Sequence, residues 1–203
     1  GDDGAVTHIP QGQALVTTTD TLLSGVHFLD DTPPHAIAQK AVAVNLSDLA
    51  AMGAEPAWIS LSLSLPEVDE KWLEAFSNGL QEHAIYYSVQ LIGGDTVKGP
   101  LAITITAQGF VPFEQALTRS KASPGDSVYV TGTLGDAGLG LHIAQKKCVL
   151  HNQPHQDYLL NRLNYPTPRL LVGTSLRRIA SSCIDISDGL VSDIKHILKA
   201  SQC

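Results

Sequence analysis

The sequence predicts an α/β chain, with strands and helices mixed around one sheet in its first half and a second α/β segment after it. Three observations predict this. WISLSLSL at 58–65 sets Ile59, Leu61, Leu63 and Leu65 against Ser60, Ser62 and Ser64, and LAITITAQGFV at 101–111 alternates likewise; period-2 alternation is the signature of a half-buried strand. AVAVNLSDLAAMG at 41–53 is apolar on nearly every side, so as a helix it is buried rather than amphipathic. Pro112 to Pro124 then reads as a connection, with Arg119 and Lys121 as a basic pair in an acidic chain, which divides the sequence into domains at 1–111 and 112–203.

Composition excludes several classes. With 203 residues and 43% hydrophobic content the chain can bury a full core. Its net charge is −7, and no basic run or stripe suits nucleic acid or an anionic membrane. No apolar run reaches the roughly 18 residues of a membrane span, and nothing at the start resembles a signal peptide; a cytoplasmic protein is expected. Cys148, Cys183 and Cys203 have no metal-like spacing and read as reduced, incidental thiols. The chain opens without methionine and stops straight after a helix-like run, so both ends of a longer protein are expected beyond it.

Taken in order, Gly1-Asp2-Asp3-Gly4 is an acidic turn. ALVTTT at 14–19 is a short strand ending in Asp20, where Thr18, Thr19 and the carboxylate put hard oxygens in one small volume. His27 follows beside Phe28 and is ambiguous as it stands. In the apolar helix Asn45 and Asp48, three apart, share a face; either Ser47 or Asp48 caps a second helix, or an amide and a carboxylate enter an apolar layer together, which requires pairing, protonation or a cation. Asp69 opens a helix toward Tyr87. Val89 to Ile92 is a strand that breaks at Gly93-Gly94-Asp95-Thr96, either as a plain turn or as a close approach of backbone to ligand.

After the connection, Ser127 to Thr131 restarts a strand. Gly132, Gly135, Gly138 and Gly140 lead into a helix near Leu141 to Lys147, in a spacing that matches neither dinucleotide nor P-loop motifs; structural glycines permitting close helix packing fit better. Helices around Pro168 to Ala180 and Leu190 to Ala200 flank CIDISDG at 183–189, where Asp185 and Ser187 share a face if extended and Asp188 can cap the next helix.

Asp3, Asp20, Asp48, Asp95, Asp185 and Asp188 are expected at the ends or turns of buried elements rather than on charged faces. Carboxylates about 4 Å apart repel by roughly 4 kcal/mol at an intermediate effective dielectric, so such a group assembles around cations. Hard oxygen donors favour Mg²⁺ over zinc, and magnesium held this way brings a phosphate ligand with it.

The motifs GDDGAV at 1–6, TTDTLLSGVHF at 18–28, KAVAVNLSDLAAMGAEP at 40–56, LIGGDT at 91–96, LTRSKASPGDSVYVTGTLGD at 117–136 and IDISDGLVSD at 184–193 together resemble the thiamine-monophosphate kinase family, within the aminoimidazole-ribonucleotide synthetase-like superfamily of ATP-binding proteins. The resemblance spans essentially the whole chain. It implies two α/β domains, the first pairing with a second copy to close a dimeric β-barrel and the second truncated here. It implies transfer of the ATP γ-phosphoryl group to thiamine monophosphate, yielding thiamine diphosphate and ADP. Asp3, Thr18, Thr19, Asp20, Asp48, Asp95, Asp185 and Asp188 match positions that hold several Mg²⁺ ions; Gly94, Asp95, Arg119 and Ser187 match positions near ATP; His27 matches a substrate contact. No residue matches a catalytic acid or base. Gly4 departs from the Cys or Ala common in the family, and the family's remaining C-terminal portion, which adds thiamine contacts, lies outside the chain. Two alternatives stay open: another ATP-dependent enzyme of the superfamily, acting on an amide oxygen or selenide, and a non-catalytic module that binds Mg-ATP.

Overall fold

A computed structural model describes residues 2–203, and Gly1 lies outside them. Four strands, β1 (Gln13–Leu23), β2 (Glu55–Leu65), β3 (Gln90–Lys98) and β4 (Ala102–Pro112), form one sheet in the order β1-β4-β2-β3. The β1–β4 and β2–β4 pairs are antiparallel and the β2–β3 pair is parallel, so the sheet is mixed and, within the chain, open.

Helices α1 (Pro34–Ala51) and α2 (Glu70–Tyr86) cover one face of it. The alternation predicts that face correctly: Ile103, Ile105, Ala107 and Val111 of β4 and Ile59, Leu63 and Leu65 of β2 are buried, while Ser62 of β2 is exposed. Asp69 caps α2, accepting from the backbone N–H groups of Lys71 and Trp72, as its position before the apolar run implies. Helix α1 begins seven residues before the apolar run at 41–53, with Pro34 in its first turn, where the missing N–H costs nothing. It is continuous through Ser47 and Asp48, so neither residue caps a second helix.

Two expected breaks are absent. Strand β1 continues through Asp20 to Leu23, and β3 continues through Gly93, Gly94 and Asp95. A register shift at Ile59/Ser60 absorbs Ile92, and a Cβ on Gly94 would lie 1.9 Å from the Leu61 carbonyl oxygen; the glycine permits close strand contact rather than a turn.

Residues 113–203 carry α3 (Asp136–Ala144), α4 (Gln153–Asn164), α5 (Leu170–Ser175) and α6 (Leu190–Ser201). The strand expected at Ser127 to Thr131 is not formed: the segment finds no pairing partner among the described residues, and Val128 and Tyr129 are exposed. A strand is defined by a neighbour's hydrogen bonds, which local sequence cannot supply. The second segment is therefore helical as described, rather than α/β. The helix expected over 168–180 is confined to α5, and α4 has no counterpart in the sequence reading. Gly140 meets the expectation for close packing, since a Cβ there would lie 2.3 Å from the Leu159 carbonyl oxygen of α4. Helix α5 lies on α1 through Gly173, and Arg177 donates to the Gly53 carbonyl at 2.6 Å and to Glu55 at 3.0 Å. Cys148, Cys183 and Cys203 are unbridged.

Candidate functional site

The parity of β1 decides which side chains meet. Thr18, Asp20 and the buried Leu22 point toward α1, whereas Thr17, Thr19 and Thr21 are exposed on the opposite face. Thr18 donates to the Asp48 carboxylate at 2.5 Å. The Asp20 backbone N–H donates to the Asn45 side-chain oxygen at 3.0 Å, and the Asn45 amide donates to the Ala41 carbonyl at 2.9 Å. Asn45, buried to 1% exposure, thus bonds through both its oxygen and its nitrogen; it ties α1 to β1 and leaves Asp48 close enough for its charge to act on Asp20.

The second segment adds a third carboxylate. Burial pushes the Asp185 carboxyl above its ordinary range, the Asp48 charge pushes it the same way, and the Ser47 hydroxyl opposes both by hydrogen bonding. Asp20 is raised by the same two causes, burial first and the Asp48 charge second, against a lowering influence from His27. Asp48 is therefore the charge that both neighbours sense, and the three carboxylates lie in one field at the seam between sheet, α1 and the 183–188 segment. Repulsion of this kind favours protonation or a cation.

Helix α6 orients that segment through a residue the sequence reading passed over. Asp193, 3% exposed, accepts from the backbone N–H groups of Ser187 (2.9 Å) and Asp188 (3.1 Å). The expected cap, Asp188, does not cap α6: Gly189 holds the N-cap with no side-chain bond, and Asp188 is exposed. Asp193 is the fourth residue of α6 and bonds the two residues before the Gly189 N-cap, one place beyond the capping-box position, so IDISDGLVSD carried no capping-box spacing that would have pointed to it.

Other expected site residues stand apart. Thr19 bonds Thr106 at 2.8 Å on the uncovered face of the sheet. Asp95 pairs in register with Ser62 and so faces the same uncovered side, in a row with Thr104 and Thr21. Asp3 lies in the exposed coil before β1; Arg119, Ser187 and Asp188 are exposed. Among the described residues no three His, Cys, Asp or Glu side chains converge closely enough to hold a metal by themselves. Thr18 and Asp48, which are in contact, and Asp20 and Asp185, which sense the Asp48 charge, all offer hard oxygens, a chemistry suited to Mg²⁺ whose shell is completed by water or phosphate.

His27 borders this group from the 23–28 turn. Its Nδ1 accepts from the Leu23 N–H at 3.0 Å, which places the proton of the neutral ring on Nε2. The turn opens onto a cavity of about 240 Å³ between α1, α3 and α4, lined by His27, Lys40, Val26, Leu141, Leu160 and Leu163 among others.

Comparison with known proteins gives this arrangement a context. Residues 1–111 match the family described as AIR synthase related protein, N-terminal domain. The chain is 56% identical over 203 residues to the thiamine-monophosphate kinase of Escherichia coli K12, covering all of this chain and 62% of that protein. It superposes with a TM-score of 0.92 and 45% identity on the crystal structure of thiamine-monophosphate kinase from Stenotrophomonas maltophilia K279a, covering 100% of this chain and 65% of that one. A second similar structure, AaThiL complexed with AMPPCP and TMP, gives a TM-score of 0.88 at 35% identity over 99% of this chain and 64% of that one. The chain thus spans somewhat under two thirds of the length of these relatives.

Proposed function

This chain belongs to the AIR synthase related family, and we propose that it is the ATP-binding part of a thiamine-monophosphate kinase, which transfers the γ-phosphoryl group of ATP to thiamine monophosphate. The observation that carries the reading is the Thr18–Asp48 hydrogen bond, with the Asp48 charge felt at both Asp20 and Asp185 and that of His27 at Asp20, in a chain 56% identical to a thiamine-monophosphate kinase. The AMPPCP and TMP of the similar AaThiL complex fit a nucleoside triphosphate donor and a thiamine monophosphate acceptor.

The acceptor's phosphate oxygen is already anionic at neutral pH, so no general base has to create the nucleophile; the barrier is repulsion between two anions and their alignment. In the reaction proposed, an oxygen of thiamine monophosphate attacks the γ-phosphorus in line. A P–O bond forms as the bond to the β–γ bridging oxygen breaks, and ADP leaves with that electron pair. Asp20, Asp48, Thr18 and Asp185 are the residues that would hold Mg²⁺, with Asp3, Asp188 and the main chain at Thr19 as further donors. When bound, the metal supplies neutralisation of phosphate charge. Arg119 is assigned as a side-chain cation for the nucleotide phosphates, with Gly94 and Ser187 at the nucleotide and the His27 Nε2–H offered to the acceptor.

Asp95 supports a dimer. It stands on the sheet face away from Asp20, among the hydroxyls of Thr17, Thr19, Thr21 and Ser62, with the half-buried Trp58 and Phe110 rings packed at 5.0 Å on the same side. A second copy closing that face into a β-barrel would give Asp95 a site it lacks within one chain. The two domains are proposed to meet near Val111, and a cytoplasmic location fits a chain in which no helix among the described residues is long and apolar enough to cross a membrane.

The test is to incubate the full-length protein with MgATP and thiamine monophosphate and to follow thiamine diphosphate as its fluorescent oxidised derivative. Magnesium-dependent product is expected. Saturable MgATP binding without product would overturn the acceptor and bring forward a different substrate of the superfamily.

A further inference from the structure

Lys40 is unused by the chemistry above, yet it is the one charged residue of α1 at the wall of the cavity beside His27. Its Nζ donates to the His27 backbone carbonyl at 2.7 Å across thirteen residues of chain. Burial pushes its ammonium below the ordinary lysine range. A half-buried ammonium aimed at a main-chain carbonyl is costly to place unless that contact does something for the segment it grips.

The segment it grips is a tight turn. The Gly25 N–H donates to the Phe28 carbonyl at 2.9 Å, and the N–H groups of Val26 and His27 donate to the Leu23 carbonyl at 3.2 and 2.9 Å. Gly25 holds a φ of +74°, and Phe28 is sunk to 5% exposure in the core. Ser24 bonds Asp30 at 2.7 Å. The turn is held from outside at two points: the Ser24 N–H donates to the Leu101 carbonyl at 3.2 Å where the turn leaves β1, and at the cavity rim Lys40 holds the His27 peptide.

We propose that Lys40 is a positioning residue for the acceptor: by clamping the His27 carbonyl to α1, it holds the 23–28 turn so that the imidazole keeps its Leu23 bond and presents Nε2–H at the cavity. The inference rests on the reading of His27 as an acceptor contact. The clamp is specific to the donor at this point, because a methionine, one heavy atom shorter, covers the lysine stem's apolar contacts without the hydrogen bond, whereas arginine keeps both charge and donor.

The experiment compares full-length wild type, Lys40→Met and Lys40→Arg. KM for thiamine monophosphate is expected to rise about tenfold in Lys40→Met, the equivalent of one hydrogen bond from a charged donor, with KM for MgATP within about twofold of wild type and substantial recovery in Lys40→Arg. Amide hydrogen exchange at Gly25 and His27 is expected to quicken about tenfold in Lys40→Met while exchange in β4 stays unchanged. An acceptor KM within about twofold of wild type in Lys40→Met overturns the proposal whatever the exchange rates, and so does an equal rise in both KM values, which marks a general structural loss. If wild type itself does not use thiamine monophosphate, the acceptor reading fails instead, and exchange at His27 then decides on its own whether Lys40 is the clamp.

Discussion

Leu46 and Leu159 show how differently the two regions of this molecule are built. Leu46, fully buried in α1, belongs to a continuous core in which β1, β2, β4, α1 and α2 all contribute buried side chains. Leu159, 8% exposed, is one of few buried apolar residues after position 112, together with Leu117 and Ile143, while Tyr129, Leu171, Ile179 and Val191 stand exposed. The difference teaches where the acidic group sits. Asp20 and Asp48 are mounted on the well-packed region, and Asp185 is brought to them by the sparsely packed one through α5, Arg177 and the Asp193 bonds. The candidate site is a seam between a region with a continuous apolar core and a segment that buries few apolar side chains among the described residues.

Four experiments break or sharpen that contrast. The largest effect is expected from Asp48→Asn, which removes the charge shared by both regions without disturbing the core: kcat should fall about 10³-fold, with the thermal midpoint shifted by only a few degrees, as read by steady-state kinetics and calorimetry. Wild-type turnover in that variant would remove Asp48 from the metal and phosphate chemistry. Next comes truncation of the two leucines. Leu46→Ala should cost about 3–4 kcal/mol and Leu159→Ala about half as much, because the sparser site can collapse around the lost methyls; equal shifts in the urea midpoint would erase the contrast.

The seam itself is probed by glycines. A Cβ on Gly173 would lie 2.0 Å from the Ala50 carbonyl oxygen, whereas one on Gly138 meets nothing within 4 Å. Gly173→Ala should therefore displace α5 from α1 at a cost of about 2 kcal/mol, and Gly138→Ala should stabilise α3 by about 0.5–1 kcal/mol. Hydrogen exchange checks the placement: in Gly173→Ala, α5 and α6 should exchange faster while β4 does not change.

The smallest effect is electrostatic. Asp20 and Asp185 hold protons to higher pH in the fold than the ordinary aspartate value of 3.8 allows, so over that interval the folded state binds more protons than the unfolded chain. Their contribution to stability is full below pH 3.8 and is lost as pH rises through the raised values. Asp20→Asn should accordingly raise the metal-free thermal midpoint at pH 7 slightly, by about 1–2 °C once solvent screening of this half-exposed group is counted, and millimolar Mg²⁺ should cancel the advantage by stabilising wild type. A midpoint insensitive to both changes would mean that the carboxylates do not sense one another.

Much of this molecule was legible before any coordinates. Serine–leucine alternation in β2 and threonine–isoleucine alternation in β4 determine two strands and the face each buries, because side chains on a pleated strand alternate whatever the neighbours are. Asp69 before Trp72 determines the start of α2, whereas the apolar surround of Asn45 and Asp48 left a helix cap or joint entry into an apolar layer open, and the structure buries Asn45 and half-buries Asp48. The two alternations and the Asp69 cap are short-range properties, settled within one or two turns or pleats. What only the tertiary structure decided depends on partners distant in sequence. Thr18 joins Asp48 while Thr19 turns away, because β1 continues through Asp20 and its parity is set by pairing with β4. Asp95 falls on the uncovered face because the register shift at Ile59/Ser60 absorbs Ile92 and sets Asp95 opposite Ser62. Val128 to Val130 alternates suitably yet pairs with nothing described, and Asp193 rather than Asp188 closes the turn before α6. Periodicity states what a segment is able to be, but a ladder hydrogen bond or a shared electrostatic field exists only once the chain has brought its other half into place.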